Sequence, residues 1–254
     1  MRGKALKQVF TADGADHLIR QLILLAGGKA TRLRPVTETI PKSMLEVAGK
    51  PFIAHQLELA RSKGIDKVVL CASYLGEMIE QYAGDGSRFG VKLEYSFDGD
   101  ELLGTGGAVL KALDKIEGDF FVMYGDSYLN TDFKRINEYF FSQNKPALMT
   151  VFRNDGKWDK SNVCFRDGMI ITYDKVNRTP EMQYIDYGLG ILSESCFGDF
   201  RSRKVFDLAE VYSRLLEKNE LAGYEVKERF YEIGSFEGLK ETNDYLNNIT
   251  QSGD

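Results

Sequence analysis

The sequence contains few cysteines and histidines and no long apolar run, and each shortage excludes a class of protein. Among 254 residues there are three cysteines and two histidines. The cysteines are odd in number and form no Cys-x-x-Cys pair, which excludes a disulfide framework and a cysteine-rich zinc site. No run of about 18 apolar residues is present, which excludes a transmembrane helix. Residues 1–20 also lack the apolar segment of a secretory signal.

Positive charge is in short supply as well. The chain has 33 Lys and Arg against 38 Asp and Glu, a net charge of −5. This balance argues against a general nucleic-acid-binding protein, because such domains are typically basic. We therefore expect a cytoplasmic protein that binds neither nucleic acid nor membranes. Hydrophobic residues at 43% and charged residues at 28% are ordinary for a globular chain.

Short apolar runs alternate with helical patterns in the first half of the chain. Residues 21–26 form an apolar run closed by two glycines, as expected of a buried strand in a parallel sheet. Further strands are predicted at 67–72, 91–96 and 120–124, and helices at 51–64, 75–82 and 106–113. The second half predicts strands at 147–152 and 184–192, a hairpin at 162–173, and helices at 208–216 and 236–245. This alternation predicts an α/β fold with a mostly parallel sheet.

The segment after the first strand is a candidate phosphate-binding loop. Gly27 and Gly28 let the backbone turn sharply and approach a ligand, and the N–H groups of such a turn can bind an anion. Residues 29–50 contain five bases and two acids, which reverses the overall charge locally. Arg32 and Lys42 supply cations at a strand end, where open α/β sheets bind ligands. The alternative is a surface loop with solvated charges.

The spelling Gly-Gly-x-Ala-Thr-Arg-Leu-x-Pro-x-Thr from Gly27, followed by Pro-Lys at 41–42, resembles the signature of the sugar-1-phosphate nucleotidyltransferases. The resemblance extends over about residues 21–245. Within that family, residues 85–90 and 103–108 are similar to heptose-1-phosphate guanylyltransferases and N-acetylmuramate-1-phosphate uridylyltransferases. The resemblance implies a Rossmann-like mixed, mostly parallel sheet with helices on both faces.

The resemblance also implies a domain organisation. Residues 1–20 become an N-terminal extension of unknown role, and residues 21–254 a single nucleotidyltransferase domain. Within it, about 21–145 would bind the nucleotide and about 146–254 the acceptor. One continuous sheet and two separable domains both remain open, as does a homo-oligomeric assembly.

The family's chemistry explains why the chain needs no catalytic histidine. A phosphate oxygen of the acceptor attacks the α-phosphorus of an NTP, and pyrophosphate leaves. A phosphate monoester has its second pKa near ~6 and is already ionised at neutral pH. The protein therefore supplies positioning and electrostatic stabilisation. The resemblance implies that Arg32 holds the donor phosphates and that Lys42 lies at the α-phosphate.

The resemblance further implies a set of binding residues. Mg²⁺ would be held by Asp126, helped by Glu232, which stands where the family has the shorter Asp. Mg²⁺ commonly takes one or two carboxylates together with phosphate oxygens. The acceptor would contact Lys175, Asp186 and Gly188, although Asp186 replaces the Asn that the family often has. The nucleotide would contact Leu25, Ala26, Gly27, Gly28, Thr31, Gly104, Thr105, Gly106, Gly107 and Asp126.

The expected function is NMP transfer from an NTP to a phosphorylated small molecule, most simply a sugar 1-phosphate. The glycines at 104–107 would contact the base through backbone groups, and GTP is expected ahead of CTP and UTP. A cytidylyltransferase acting on a non-sugar phosphate or phosphonate is the first alternative. A non-catalytic sensor of sugar nucleotides is the second. Trp158 is a candidate for lining the acceptor pocket, or else a core residue.

Overall fold

The computed structural model describes residues 18–28 and 31–251, so most of the predicted N-terminal extension lies outside the described residues. The described residues form thirteen strands and six α-helices. The strands are β1 Gln21–Leu25, β2 Glu46–Val47, β3 Lys50–Pro51, β4 Lys67–Ala72, β5 Lys92–Phe97, β6 Phe120–Tyr124, β7 Ser127–Tyr128, β8 Ala147–Arg153, β9 Val163–Arg166, β10 Met169–Tyr173, β11 Tyr184–Leu192, β12 Leu221–Val226 and β13 Tyr231–Glu232. The helices are α1 Phe52–Ser62, α2 Gly76–Ala83, α3 Gly104–Ala112, α4 Phe133–Gln143, α5 Leu208–Glu217 and α6 Phe236–Gln251.

One nine-stranded sheet runs through both halves of the described chain. Strands β5, β4, β1 and β6 lie side by side and are parallel. Strand β11 pairs antiparallel with β6 and with β8, and its first residues also pair with the hairpin strand β9. Strand β12 adds to β8 in parallel. The predicted mixed, mostly parallel sheet is thus confirmed, and the β6–β11 pairing joins the two halves.

Strand β1 shows why its sequence is apolar throughout. Ile23 packs in a cluster with Val109 of α3 and Val211 of α5. Leu22, which points to the opposite face, packs in a second cluster that includes Leu57 of α1. Successive side chains of a strand point to opposite faces, so a sheet with helices on both sides requires apolar residues at every position. Helices therefore cover both faces, as expected.

Six elements of the described chain were not predicted from the sequence: the two-residue strands β2, β3, β7 and β13, helix α4 and strand β12. Helix α4 is largely polar, although Asp132 marks its start by accepting a hydrogen bond from the Arg135 backbone N–H at 3.1 Å. Strand β12 is interrupted by Gly223, and its pairing with β8 defines it as a strand. The prediction of α3 also began two residues late. No helix among residues 18–28 and 31–251 is long and apolar enough to span a bilayer.

The first turn of α3 packs tightly against the segment before α5. The backbone N–H groups of Gly106 and Gly107 donate to the Phe206 carbonyl at 3.0 and 3.3 Å. A methyl group at Gly106 would overlap the Phe206 ring, and one at Gly107 would overlap the Lys204 carbonyl. Both glycines therefore allow a close approach of two backbone segments.

We expect Gly106→Ala to lower the free energy of unfolding by about 1–3 kcal/mol, the usual range for overpacking a well-packed core. Urea unfolding followed by circular dichroism measures the change. Gly198→Ala is the matched control, because a methyl group there meets no atom within 4 Å. Equal stability of the two variants would show that the Gly106 contact is not tight.

Candidate active site

Two adjoining cavities open where the parallel strands end. The first, the β1 cavity, has a volume of about 420 Å³ and takes lining residues from the ends of β1, β4 and β6, from the segment after β5 and from α3. The second, the β11 cavity, has a volume of about 480 Å³ and is lined largely by residues of β11, of segment 158–159 and of segment 230–235. The two cavities share Lys42, Tyr124 and Asp126. Any two ligands bound there would meet at these three side chains.

An ion pair lies at the junction of the cavities. The Lys42 ammonium contacts Asp126 Oδ2 at 2.8 Å, and the Lys42 side chain is only 17% exposed. Asp126 lies two residues after the end of β6. The intervening Gly125 passes so close to the Leu25 carbonyl that a Cβ would lie 2.6 Å from that oxygen. Gln56 of α1 donates to the Tyr124 and Ser127 carbonyls and holds this turn. The structure therefore brings two of the predicted site residues into contact.

A second carboxylate lies beside Asp126. Strand β13 pairs antiparallel with β7, which places Glu232 opposite Ser127. Glu232 accepts hydrogen bonds from the Gly234 backbone N–H and from Ser235 Oγ. A Cβ at Gly234 would contact Glu232 Oε2 and would lie 3.8 Å from Asp126 Oδ2. Both predicted metal ligands thus face the same small volume.

The β1 cavity contains most of the predicted nucleotide-binding residues. Those that line it are Leu25, Ala26, Gly27, Gly28, Gly104, Thr105 and Asp126. Gly106 and Gly107 do not line it, because they pack against segment 204–207 as described above. Thr105 Oγ1 accepts a hydrogen bond from the Leu208 N–H at 2.8 Å, which ties α3 to the start of α5. The side chain of Thr31 lies outside the described residues.

Asp98 is a site residue that the sequence reasoning missed. It follows β5, lines the β1 cavity and accepts a hydrogen bond from the Leu103 N–H at 3.3 Å. Burial raises the pKa of its carboxyl group. Its position gave the available signal, since an acid directly after a parallel strand lies at the same sheet edge as Asp126.

Asp186 lies in the wall of the β11 cavity, at a bend in β11. Its carboxylate accepts hydrogen bonds from the Tyr173 hydroxyl at 3.2 Å and from the Gly188 N–H at 3.1 Å. Gly188 has φ +89°, a backbone conformation that would be strained for a residue with a side chain. Burial raises the pKa of Asp186, and the nearby Lys175 ammonium opposes that shift. The predicted acceptor residues thus form one group.

Lys175, the third predicted acceptor residue, does not line the β11 cavity. Its ammonium contacts Asp207 at 3.5 Å and the Tyr124 hydroxyl at 3.3 Å. Burial raises the pKa of Tyr124, so this phenol stays neutral. Trp158 does line the β11 cavity, and Asp159, which was not predicted, lies beside it.

Cationic and anionic side chains meet in these cavities, together with the hydroxyls of Ser127 and Ser235, which donate to Asp126 and Glu232. Arg32 is exposed and lines the β11 cavity together with Lys42. His55 is buried in α1, where its Nε2 lies 2.7 Å from the Val47 carbonyl oxygen. Cys71 lines the β1 cavity, but burial raises its pKa, which disfavours the reactive thiolate. The arrangement suits the binding and positioning of anions near carboxylates.

Comparison with known proteins gives consistent matches. The model of the family described as nucleotidyl transferase matches residues 21–161. D-glycero-alpha-D-manno-heptose 1-phosphate guanylyltransferase from Campylobacter jejuni is 30% identical over 215 residues, which cover 84% of this chain and 94% of that protein. The bifunctional protein GlmU from Methanococcus maripaludis is 32% identical over 234 residues, 89% of this chain but about half, 54%, of that protein.

A solved structure agrees with these matches. HddC from Yersinia pseudotuberculosis superposes with a TM-score of 0.75 at 25% identity, covering 90% of this chain and all of that one. The same protein has been solved in complex with GMP-PN. The match covers nearly the whole described chain and shows that the two proteins share a fold.

We expect Asp186→Asn to raise the melting temperature at neutral pH. The folded protein disfavours the charged form of Asp186, so this acid costs stability above its ordinary pKa of about 3.9. The stabilisation by Asn should be absent below pH ~3.9 and should grow as pH rises through the raised pKa. One kcal/mol corresponds to roughly 2–4 °C for a chain of this size. Calorimetry across pH measures it, and a melting temperature unaffected at every pH would contradict it.

Proposed function

This chain is a member of the nucleotidyl transferase family, and we propose that it transfers NMP from an NTP to a sugar 1-phosphate, giving an NDP-sugar and pyrophosphate. The observation that carries the proposal is the junction of two cavities at Lys42 and Asp126. One cavity takes the nucleotide and the other the acceptor, so their phosphates meet at a cation. The names of the relatives, which include sugar-1-phosphate guanylyl- and uridylyltransferases, support this choice.

The transfer is an in-line displacement at the α-phosphorus. An ionised phosphate oxygen of the acceptor forms the new P–O bond, the bond to the β-phosphate bridge breaks, and pyrophosphate carries away the electron pair. Lys42 neutralises the charge where the two anions approach, and Arg32 binds the phosphates that leave. A guanidinium binds phosphate through two parallel hydrogen bonds, whereas an ammonium is a point charge suited to a moving group.

We propose Mg²⁺ as the cofactor, held by Asp126 and Glu232. Their oxygens fit this ion, because Mg²⁺ prefers one or two carboxylates with phosphate oxygens. Their facing positions beside Gly234, and the ammonium already attracted to Asp126, support the assignment. When bound, the ion would supply additional positive charge to the phosphates.

We propose GTP as the preferred donor, with Asp98 as the base-recognition residue. The guanine edge carries N–H donors at N1 and N2, and a carboxylate can accept from both. The backbone of Gly104 and Thr105, at the same cavity, remains available to the base. A site that binds a base edge through buried polar groups rejects a base that leaves them unpaired by ~10⁴ or more.

The function is tested with the purified protein, four NTPs and several sugar 1-phosphates, with pyrophosphate release as the readout. We expect turnover with one strongly preferred NTP, GTP, and loss of turnover when EDTA removes divalent cations. ITP lacks the N2 amino group of guanine and should react more slowly than GTP. Similar kcat/KM for purine and pyrimidine NTPs would exclude base recognition by Asp98.

Two alternatives receive less support. A non-catalytic sensor has no need for Arg32, Lys42 and Asp126 at one junction, yet all three line the β11 cavity. The inositol-1-phosphate CTP transferase of T. maritima is 20% identical, which shows a shared fold alone. Since NTPs are cytoplasmic metabolites, we also propose that the reaction takes place in the cytoplasm, supplying NDP-sugars for cell-surface polysaccharides.

We expect Lys42→Ala to lower kcat by roughly 10²–10³, as is typical when one preorganised electrostatic group is removed. Steady-state kinetics at saturating substrates measures the loss. Lys50→Ala is the matched control, since Lys50 also forms an ion pair, with Glu58 at 2.5 Å, but lines neither cavity. A Lys42→Ala protein with near-wild-type turnover would remove this residue from the mechanism.

We expect Asp126→Asn to lose nearly all activity, because it removes the carboxylate charge at the proposed metal position. Glu232→Asp should retain activity and need more Mg²⁺ for half-maximal rate, since it keeps the charge but shortens the reach. Titration of Mg²⁺ in the pyrophosphate-release assay separates the two effects. Activity of Asp126→Asn at low Mg²⁺ would place the metal elsewhere.

A further inference from the structure

The wall of the β11 cavity carries two carboxylates besides those of Asp126 and Glu232. Asp186 contributes one from β11, and Asp159 contributes the other from the segment between β8 and β9. Both lie outside the proposed metal pair and contact neither of its members in the described structure. If the acceptor phosphate lies at Lys42, the sugar ring faces these two acids.

The two carboxylates are held by different contacts. Asp186 is fixed by hydrogen bonds to both of its oxygens, from Tyr173 and Gly188. The segment with Asp159 is organised by the fully buried Asn154, which accepts from the Trp158 N–H at 3.1 Å and donates to the Asp159 carbonyl. The Asp186 carboxylate is therefore fixed by two donors, whereas Asp159 has an exposed side chain on an organised segment, and its Oδ1 accepts from the Lys160 N–H at 2.6 Å.

Two cations close to this cavity form ion pairs with residues that do not line it, although the buried Nε of Arg229 has no hydrogen-bond partner. Lys175 pairs with Asp207, and Arg229, which stacks 3.5 Å from the Trp158 ring, pairs with Glu241. Among the described residues that line the β11 cavity, Arg32 and Lys42 are the cationic ones, and the proposed reaction uses both for phosphates. Among the described residues that line this cavity, no third cation is present to neutralise an acidic group on the sugar.

We infer that Asp159 and Asp186 select the acceptor by charge, admitting sugar 1-phosphates that carry hydroxyl or amino groups and rejecting those that carry a carboxylate. The inference rests on the proposed function. Hydroxyl groups donate hydrogen bonds to the two acids, and an ammonium adds an ion pair. A carboxylate meets like charges in a partly dehydrated cavity, and such juxtaposition costs several kcal/mol. Selection therefore includes a repulsive element against the wrong substrate.

The test uses three acceptors that differ only at carbon 6. They are mannose 1-phosphate, 6-amino-6-deoxymannose 1-phosphate and mannuronate 1-phosphate, each with GTP and the full chain. We expect kcat/KM for mannuronate 1-phosphate to lie at least ~10²-fold below that for mannose 1-phosphate, since 1.4 kcal/mol is tenfold. The amino sugar should equal or exceed mannose 1-phosphate.

Variants of Asp159 and Asp186 test whether these two residues cause the selection. Asp159→Asn and Asp186→Asn should each narrow the gap between mannuronate and mannose 1-phosphates by at least about fivefold. Asp155→Asn is the control, because Asp155 lies in the same segment and pairs with Arg153 at 3.1 Å but does not line the cavity. It should leave the gap unchanged. Asp159 has an exposed side chain, so Asp159→Asn tests the selection independently of any change in stability caused by Asp186→Asn.

The outcomes separate this inference from the proposed function. If mannose 1-phosphate reacts and mannuronate 1-phosphate reacts equally well, charge selection is wrong and the function stands. If the difference in kcat/KM between the two acceptors is unchanged in both Asn variants, charge selection by these residues is also wrong and the function stands. If no sugar 1-phosphate releases pyrophosphate with any NTP, the proposed function fails, and the inference fails with it.

Discussion

The close parallel pairing of β1 and β6 is the constraint on which the site depends. It puts the loop after β1 and the turn after β6 at one sheet edge, where the Lys42 ammonium contacts Asp126 across 84 positions of sequence. Gly125 makes this possible, because any side chain there would collide with the end of β1. The contact then defines the boundary between the two cavities, and the second carboxylate, Glu232, is added through a two-residue ladder with β7. A change in the β1–β6 register would separate Lys42 from Asp126.

Two buried acids of the site lower the stability of the folded protein. Burial raises the pKa values of Asp98 and Asp186, each of which lies in a cavity wall rather than in a surface ion pair. Buried acids cost folding free energy unless they are compensated, and perturbed pKa values cluster where ligands bind. Two such acids, one in each cavity, fit a site in which the base and the sugar are both recognised by carboxylates.

The glycines of this chain have two different structural roles. Gly27 and Gly28 line the β1 cavity, as the family resemblance implied, whereas Gly106 and Gly107 bring α3 against the Phe206 carbonyl. In the sequence, Gly27 and Gly28 directly follow a predicted strand, whereas residues 104–107 precede or open a predicted helix. A glycine pattern reports that backbone approaches something closely, but it does not report whether the neighbour is a ligand or another segment of the chain.

The sequence by itself determined the α/β class, most strands of the sheet, and the catalytic candidates, because apolar runs, glycine pairs and a local excess of cations are properties of short segments. The bounds predicted for β4 and β11 agree with the structure for this reason. The tertiary structure alone decided that Asp159 lines a cavity and that Lys175 pairs with Asp207. It also decided that β12 is a strand at all, since its partner β8 lies more than seventy residues earlier. These facts depend on which segments pack together, and a local pattern carries no information about a distant neighbour.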